Sequence, residues 1–343
     1  MRALGRNLET RQRISLPAAI PPALMIVVDT EEEFDWDAGV DRHSTQVTAM
    51  REIGRLQDAF EEFGHKPTYV IDYPVATDEF SVDRLSVYQK QGRAQVGAHL
   101  HPWVCPPHDE SVSQHSSYQG NLEPELERRK LTVLTETIQT NFGFHPTVHK
   151  AGRYGFGYET AAALLDLGYE IDLSAASGFD FSSDGGPDYA RIDAQLYTVG
   201  PDEGLFGIPT TGGFMGPLSS LGPHVFSNRA MSHKLGRLRA QAMSKTRLLE
   251  RVLLSPEGHS LDKMKRLTRT LVARGVRVLT LSLHSPTAKP GCTPYTASEQ
   301  DVTAFIEKCR QYFKFFADEL GGTATTPYEV MSLAKKNGTK LST

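Results

Sequence analysis

Three short apolar runs in this chain each end in groups that bind metal ions or move protons, and that pattern narrows the folds open to it. Residues 24–28 (Leu-Met-Ile-Val-Val) run into Asp29-Thr30-Glu31, residues 94–98 into His99-Leu100-His101, and residues 278–283 into His284. Each run is mostly aliphatic or β-branched, a handful of residues long, and broken by polar residues or proline, as a buried strand is. Carboxylates and imidazoles at the ends of several strands suit an α/β barrel, where the strand ends build the site.

The intervening sequence alternates with these strands. Apolar residues at helical spacing predict helices over 45–63, 82–91, Pro124–Phe142, 158–167, 260–273 and 298–320, with strands over Thr68–Ile71, 147–149 and 169–173 between them. This order predicts parallel strands joined by helical crossovers. Residues 174–256 break the rhythm: they are rich in Gly, Ser and Pro, carry short β-like pieces at 195–199 and 207–209, and then turn basic. The organisation expected is an N-terminal extension over 1–22, one barrel domain over 23–330 with an insertion at about 174–256, and a tail over 331–343.

The net charge of −4 hides an uneven distribution: residues 229–277 hold 13 Lys/Arg against 3 Asp/Glu, which leaves about −14 on the rest. Such a stretch is a solvated helical face, or a contact for an anionic glycan, a nucleotide-sugar or lipid headgroup, or a membrane surface. It contains no recognisable nucleic-acid module, so no nucleic-acid partner is expected. Cys105, Cys292 and Cys309 form an odd, sparse set without CxxC spacing, which argues against a disulfide framework. Pro17, Pro21 and Pro22 interrupt the only candidate leader segment, and no run approaches the roughly 20 apolar residues of a membrane helix. A cytoplasmic location is the expectation.

Residues two apart on an extended strand point the same way, so Asp29 and Glu31 face one site, and so do His99 and His101. Two carboxylates together allow one to ligate a metal while the other takes a proton from water. Glu32 and Glu33 read as an acidic turn, together with Asp35 and Asp37. His284 closes its strand where it would donate a proton to a leaving group. Arg153, in the glycine-rich segment 150–157, either orients a catalytic carboxylate, holds an anionic group or is a plain loop arginine. Asp172 pairs with Arg153 or His284, or sits on an edge strand. Trp36, Trp103 and Tyr154 are candidates to stack on a sugar ring, or are buried aromatics.

Taken together, residues 28–36 (Val-Asp-Thr-Glu-Glu-Glu-Phe-Asp-Trp), 66–69 (Lys-Pro-Thr-Tyr), 97–103 (Gly-Ala-His-Leu-His-Pro-Trp), 151–157 (Ala-Gly-Arg-Tyr-Gly-Phe-Gly) and 283–286 (Leu-His-Ser-Pro) resemble the NodB-type polysaccharide deacetylases. Among these metal-dependent carbohydrate esterases, the branch named for the WalW protein is the most similar, over residues 23–327. The resemblance implies a distorted (β/α) barrel of about seven strands and a divalent ion, zinc or else cobalt or nickel. It also implies an acetylated amino sugar or polysaccharide precursor as substrate. By motif, Asp29 corresponds to the catalytic base, Glu31 to the metal-binding acid, and His99 to the first metal histidine. Arg153 corresponds to the arginine that orients the base, and His284 to the general acid. The family's His-x-x-x-His spacing would place the second histidine at position 103, where this chain has Trp103, so His101 is expected to take that role. The family's acid pair is adjacent, whereas Thr30 separates Asp29 from Glu31. The rival readings are an amidase acting on a small C–N bond and a non-catalytic glycan-binding or assembly protein on the same fold.

Overall fold

β2 (Ala23–Thr30) is buried along its whole length, since both of its faces are covered. Leu24, Ile26 and Val28 join the apolar layer beneath the helices, while Met25 and Val27 join a second cluster inside the curve of the sheet. A strand covered on both sides reads as a continuous apolar run, and alternation carries the inner face on to Asp29. In the computed structural model, which describes residues 11–36, 38–200, 202 and 204–338, this strand is the centre of the architecture.

Chain order runs from β1 (Gln12–Ile14) through β2, α1 (Ile53–Glu61), β3 (Thr68–Ile71), α2 (Tyr73–Thr77), α3 (Glu79–Lys90), β4 (Gln95–Leu100), α4 (Pro124–Phe142), β5 (Val148–Ala151), α5 (Thr160–Asp166) and β6 (Ile171–Asp172) to β7 (Leu196–Val199) and β8 (Leu205–Gly207). It continues with β9 (Gly212–Met215), α6 (Gly222–Val225), α7 (Asn228–Met231), α8 (Lys234–Lys245), β10 (Glu250–Leu253), α9 (Leu261–Ala273), β11 (Val278–His284), α10 (Glu299–Leu320), β12 (Thr323–Ala324) and α11 (Pro327–Lys336). Seven strands in the order β11-β2-β3-β4-β5-β6-β8 pair in parallel and form the curved barrel wall. These are the parallel strands that the alternation predicts, arranged in the distorted α/β barrel that the resemblance implies. Antiparallel β7 and β1 extend one edge, and β12 adds to the start of β2.

The wall is not closed by a continuous ladder. The β9–β10 hairpin stands in the seam between β6/β8 and β11. Thr210 bridges to Ala176, the Leu254 amide donates to the Thr211 carbonyl, and the Ser282 amide donates to the Leu254 carbonyl. The Thr280 amide donates to Thr211 Oγ1 at 2.8 Å.

The segments expected to lie outside the barrel are built into it. Ile14 and Leu16 are buried in the inner cluster, and β1 pairs with β7, so the extension is part of the sheet from residue 12. The tail expected from 331 begins inside α11, whose Val330, Met331 and Ala334 join the inner cluster with Met25, Val27 and Val278. A capping box of Thr326 and Glu329, with Pro327 in the first turn, starts this helix. Residues 1–10 and 339–343 of those two expected segments lie outside the described residues. The 174–256 insertion likewise contributes β7 and β8 to the main sheet.

Gly97 shows how tightly the inner face is packed. A Cβ there would lie 2.7 Å from the Val148 carbonyl oxygen and 3.2 Å from Val70 Cγ1. The Gly97→Ala variant is expected to lose about 1–3 kcal/mol of stability through overpacking, measured as a lower urea midpoint; an unchanged midpoint would show that the wall yields.

Candidate metal and active site

The strand ends deliver their polar side chains to one cavity of about 560 Å³, lined among others by Asp29, Glu31, Trp36, His99, His101, Lys150, Tyr154, Glu257 and His284. Parallel pairing sets His284 opposite Asp29 on neighbouring strands. The site therefore lies at the ends where the parallel strands finish, as in other α/β barrels.

Glu31, His99 and His101 form one of two groups of buried metal-type side chains among the described residues. His99 Nε2 and His101 Nε2 lie 3.6 and 3.4 Å from Glu31 Oε2. Bonds of about 2.0–2.2 Å in a tetrahedron put ligand atoms roughly 3.3–3.6 Å apart, so these separations fit around one ion. Glu31 Oε1 is buried with no hydrogen-bond partner. Burial pushes the Glu31 carboxyl up to about 8, against the pull of His284 and His101. A carboxylate in this position is stabilised by a cation beside it.

The tautomers agree with that reading. His99 Nδ1 meets the Lys150 carbonyl at 2.9 Å, which can only accept, so Nδ1 carries the hydrogen and Nε2 keeps its lone pair. His101 Nδ1 meets Glu32 Oε2 at 2.8 Å with the same consequence. Burial depresses the pKa of both imidazoles and keeps them neutral. His101 also needs Gly152, where a Cβ would fall 2.4 Å from its Cδ2.

The second group, Glu32, Asp72 and His101, is a hydrogen-bonded support. The Glu32 carboxylate takes His101 on one oxygen and the Trp103 indole N–H on the other at 2.7 Å. Its own amide donates to Asp72 Oδ2 at 2.8 Å. Burial drives the Asp72 carboxyl well up, with the neighbouring Glu32 carboxyl adding to this, and burial raises Glu32 too. Glu32 is thus no acidic-turn residue: just past the end of β2 its carboxylate holds Nδ1 of the His101 ring whose Nε2 lies beside Glu31. Glu33 does behave as a turn residue, accepting from Thr48 Oγ1 and the Ala49 amide. Trp103 is not a rim platform for sugar. It is 2 % exposed and stacks on the His101 ring at 4.2 Å between centroids.

The cation on the Asp29 carboxylate is Lys150, and Arg153 makes no contact with it among those observed. Lys150 Nζ donates to both Asp29 oxygens at 2.6 Å and lies 2.9 Å from Ser282 Oγ. Burial alone would raise the Asp29 carboxyl, but the Lys150 charge overrides it and holds the group below the usual carboxylate range. Arg153 lies beyond the strand end, where it and Tyr154 take left-handed backbone conformations (φ 52° and 60°). Its guanidinium donates to Asp184 Oδ2 at 2.6 Å, the Tyr118 hydroxyl at 3.0 Å and Ser117 Oγ at 3.1 Å. Tyr154 stacks on Phe181 at 5.2 Å and faces Lys150 Nζ at 5.1 Å. Asp172 pairs with neither Arg153 nor His284. It is buried, bonded to His149 Nδ1 at 3.0 Å and to Ser174 Oγ at 2.5 Å.

His284 Nδ1 meets Glu257 Oε2 at 2.7 Å, and its Nε2 lies 3.8 Å from Asp29 Oδ2. Burial would lower its pKa, but the charges of Glu257 and Glu31 overcome this and push it up to about 10. The side chain keeps 22 % exposure, enough for a ligand in the cavity to reach it. Trp36 stands edge-on to His284 at 5.2 Å and to Tyr295 at 5.8 Å. Sequence reasoning missed Glu257, which lies in a loop with no local pattern. It also missed Lys150, although a lysine at an inward position of a short strand was a usable signal.

No family model matches the sequence, and no curated protein matches it. The fold is shared with solved structures. A Mycobacterium smegmatis protein described as a polysaccharide deacetylase matches with a TM-score of 0.56 and 13% identity, over 96% of both chains. The 4-alpha-glucanotransferase of Thermococcus litoralis matches with 0.51 and 11%, over 91% of this chain and 40% of that one. A family 4 carbohydrate esterase from Streptomyces lividans gives 0.41 and 9%, over 90% and 94%. The first likeness runs nearly end to end and identifies the fold as the α/β barrel of that deacetylase-type structure.

If Glu32 holds His101 in its ligating tautomer, Glu32→Gln is expected to weaken metal affinity about 10–100-fold. Chelator competition on folded protein measures this, and wild-type affinity would remove the role.

Proposed function

We propose that this protein is a metal-dependent deacylase that removes an acetyl or similar small acyl group from a sugar, such as an acylated amino sugar or polysaccharide precursor. One observation carries the reading. A carboxylate held ionised by Lys150, an imidazole held charged by Glu257 and the Glu31–His99–His101 cluster all face one cavity. The shared fold with a protein described as a polysaccharide deacetylase supports it.

Glu31, His99 and His101 would hold the ion, and zinc suits two imidazoles and a carboxylate, with cobalt or nickel as alternatives. A divalent cation there supplies Lewis-acid polarisation of the acyl carbonyl and makes water more acidic. Asp29 takes the proton from the attacking water, and Lys150 with Ser282 keeps its two oxygens aimed. His284 gives its Nε2 proton to the departing nitrogen or oxygen, and Glu257 on Nδ1 fixes the ring and its charge. Trp36 and Tyr295 offer aromatic faces for a sugar ring beside that acid, and Tyr154 with Phe181 forms a second aromatic patch in the cavity lining.

The deciding experiment is acetate release by metal-reconstituted protein from a panel of acetylated amino sugars and nucleotide-sugars. The wild type is expected to release acetate from at least one, and Asp29→Asn to lose about 10²–10⁴ in rate while retaining stoichiometric metal. A wild type inactive across the panel, or an Asp29→Asn variant of full activity, overturns the proposal.

The pH profile gives a second test. The base works above the pKa of Asp29, which is depressed, and the acid works below that of His284, which is raised. Activity should therefore persist through neutral pH and fall as pH rises through the His284 transition. Removing the carboxylate charge in Glu257→Gln is expected to shift that alkaline limb down by about one to three pH units; an unmoved limb would free His284 from this dependence.

A further inference from the structure

We infer that the excursion over residues 216–249 is a monotopic element that seats the protein on an anionic lipid bilayer. The inference does not depend on the reaction assigned to the cavity. The excursion holds six Lys/Arg and no Asp/Glu in a chain whose net charge is −4, which leaves −10 on the remainder. Of the six, only Arg247 faces a carboxylate among the described residues, Asp262 at 3.6 Å.

The apolar residues of the excursion are arranged the wrong way round for a helix serving its own protein. Leu235, Leu238 and Ala242 fall at i, i+3 and i+7 on one face of α8, which an ordinary surface helix turns toward the core. Here that face points to solvent: Leu235 is 61 % and Leu238 52 % exposed, and Ala242 is exposed, while Ala240 on the other side is the helix's buried residue. Lys234 and Lys245 flank the leucines on one side, and Arg239 flanks them on the other. Leu221 and Leu248 add 44 % and 42 % exposure within the same excursion. Four of the seven exposed large hydrophobic residues among those described thus lie in this one short segment.

Leucines at the centre of a face bordered by lysine and arginine match the headgroup boundary of a bilayer, with the apolar side chains among acyl chains and the cations at lipid phosphates. A soluble polyanion would meet the cations but leave the leucines in water. With its 12 residues α8 is too short to span a membrane and would lie in the interface. The excursion is tied to the cavity wall. Arg251, just after it, sits between Phe179 at 4.5 Å and Phe226 at 4.9 Å, and the Asn228 amide donates to Asp180 Oδ2 at 2.6 Å. Phe179 lines the cavity, so seating the excursion on a bilayer would bring the cavity rim close to that surface.

The test is flotation of the full chain with vesicles of phosphatidylcholine alone or of phosphatidylcholine rich in phosphatidylglycerol. Binding is expected only to the anionic vesicles, and is expected to weaken as added salt screens the surface. The double variant Leu235→Ser, Leu238→Ser keeps every charge and is expected to bind about ten-fold or more weakly, with an unchanged circular dichroism spectrum and unchanged metal affinity. Absence of binding to anionic vesicles at low salt overturns the inference. So does a double variant that binds like the wild type, or a wild type that binds soluble polyglutamate as well as vesicles, since either reduces the face to a simple polyanion contact.

Discussion

The ammonium of Lys150 spans the inside of the barrel to reach both oxygens of Asp29 and the hydroxyl of Ser282. These residues belong to β5, β2 and β11, and β5 is not a neighbour of the other two in the sheet. One cation therefore ties opposite walls together and makes a buried carboxylate tolerable. Removing one partner of such a pair typically costs about 3–5 kcal/mol, because the remaining charge is stranded. Asp29 can stand beside the metal-type cluster and the raised imidazole of His284 only because this contact fixes its charge and direction.

The same logic repeats outward. Three of the imidazoles facing the cavity have their far nitrogen occupied: His99 by a backbone carbonyl, His101 by Glu32 and His284 by Glu257. The supports differ in consequence. Burial keeps His99 and His101 neutral despite their supports, with lone pairs toward Glu31. Glu257 instead leaves His284 charged. Three histidines on one rim thus divide into two neutral rings beside Glu31 and one charged ring beside Glu257.

The barrel strands and most helices are legible in the sequence because periodicity and breakers agree there; α4 is found with the bounds its apolar spacing predicts. His99, His101, Asp29, Glu31 and His284 are legible because each follows an apolar run. Glu32 is not, since adjacent acids look alike until the fold sets Glu31 and Glu32 beside different nitrogens of His101. Lys150 is masked by Arg153, three residues on, because the glycine-rich motif stands out more than the short strand that holds the working cation. Glu257 and Asp184 act across long sequence separations from loops, where no local pattern marks a partner. The ends of the domain are hidden for a related reason: β1 and α11 are short, and only their contacts with the inner cluster show that they belong.

The seam between β8 and β11 has a different kind of significance. Elsewhere the wall is held by continuous strand pairing, but here a hairpin leans across on scattered amide contacts. A connection of that kind tolerates changes of length, since no ladder register has to be kept when residues are added or removed. Glu257 follows directly after the hairpin. The segment that can be exchanged most freely thus leads into the residue that holds the His284 ring, so remodelling that segment would alter both what the rim touches and the charge on that imidazole.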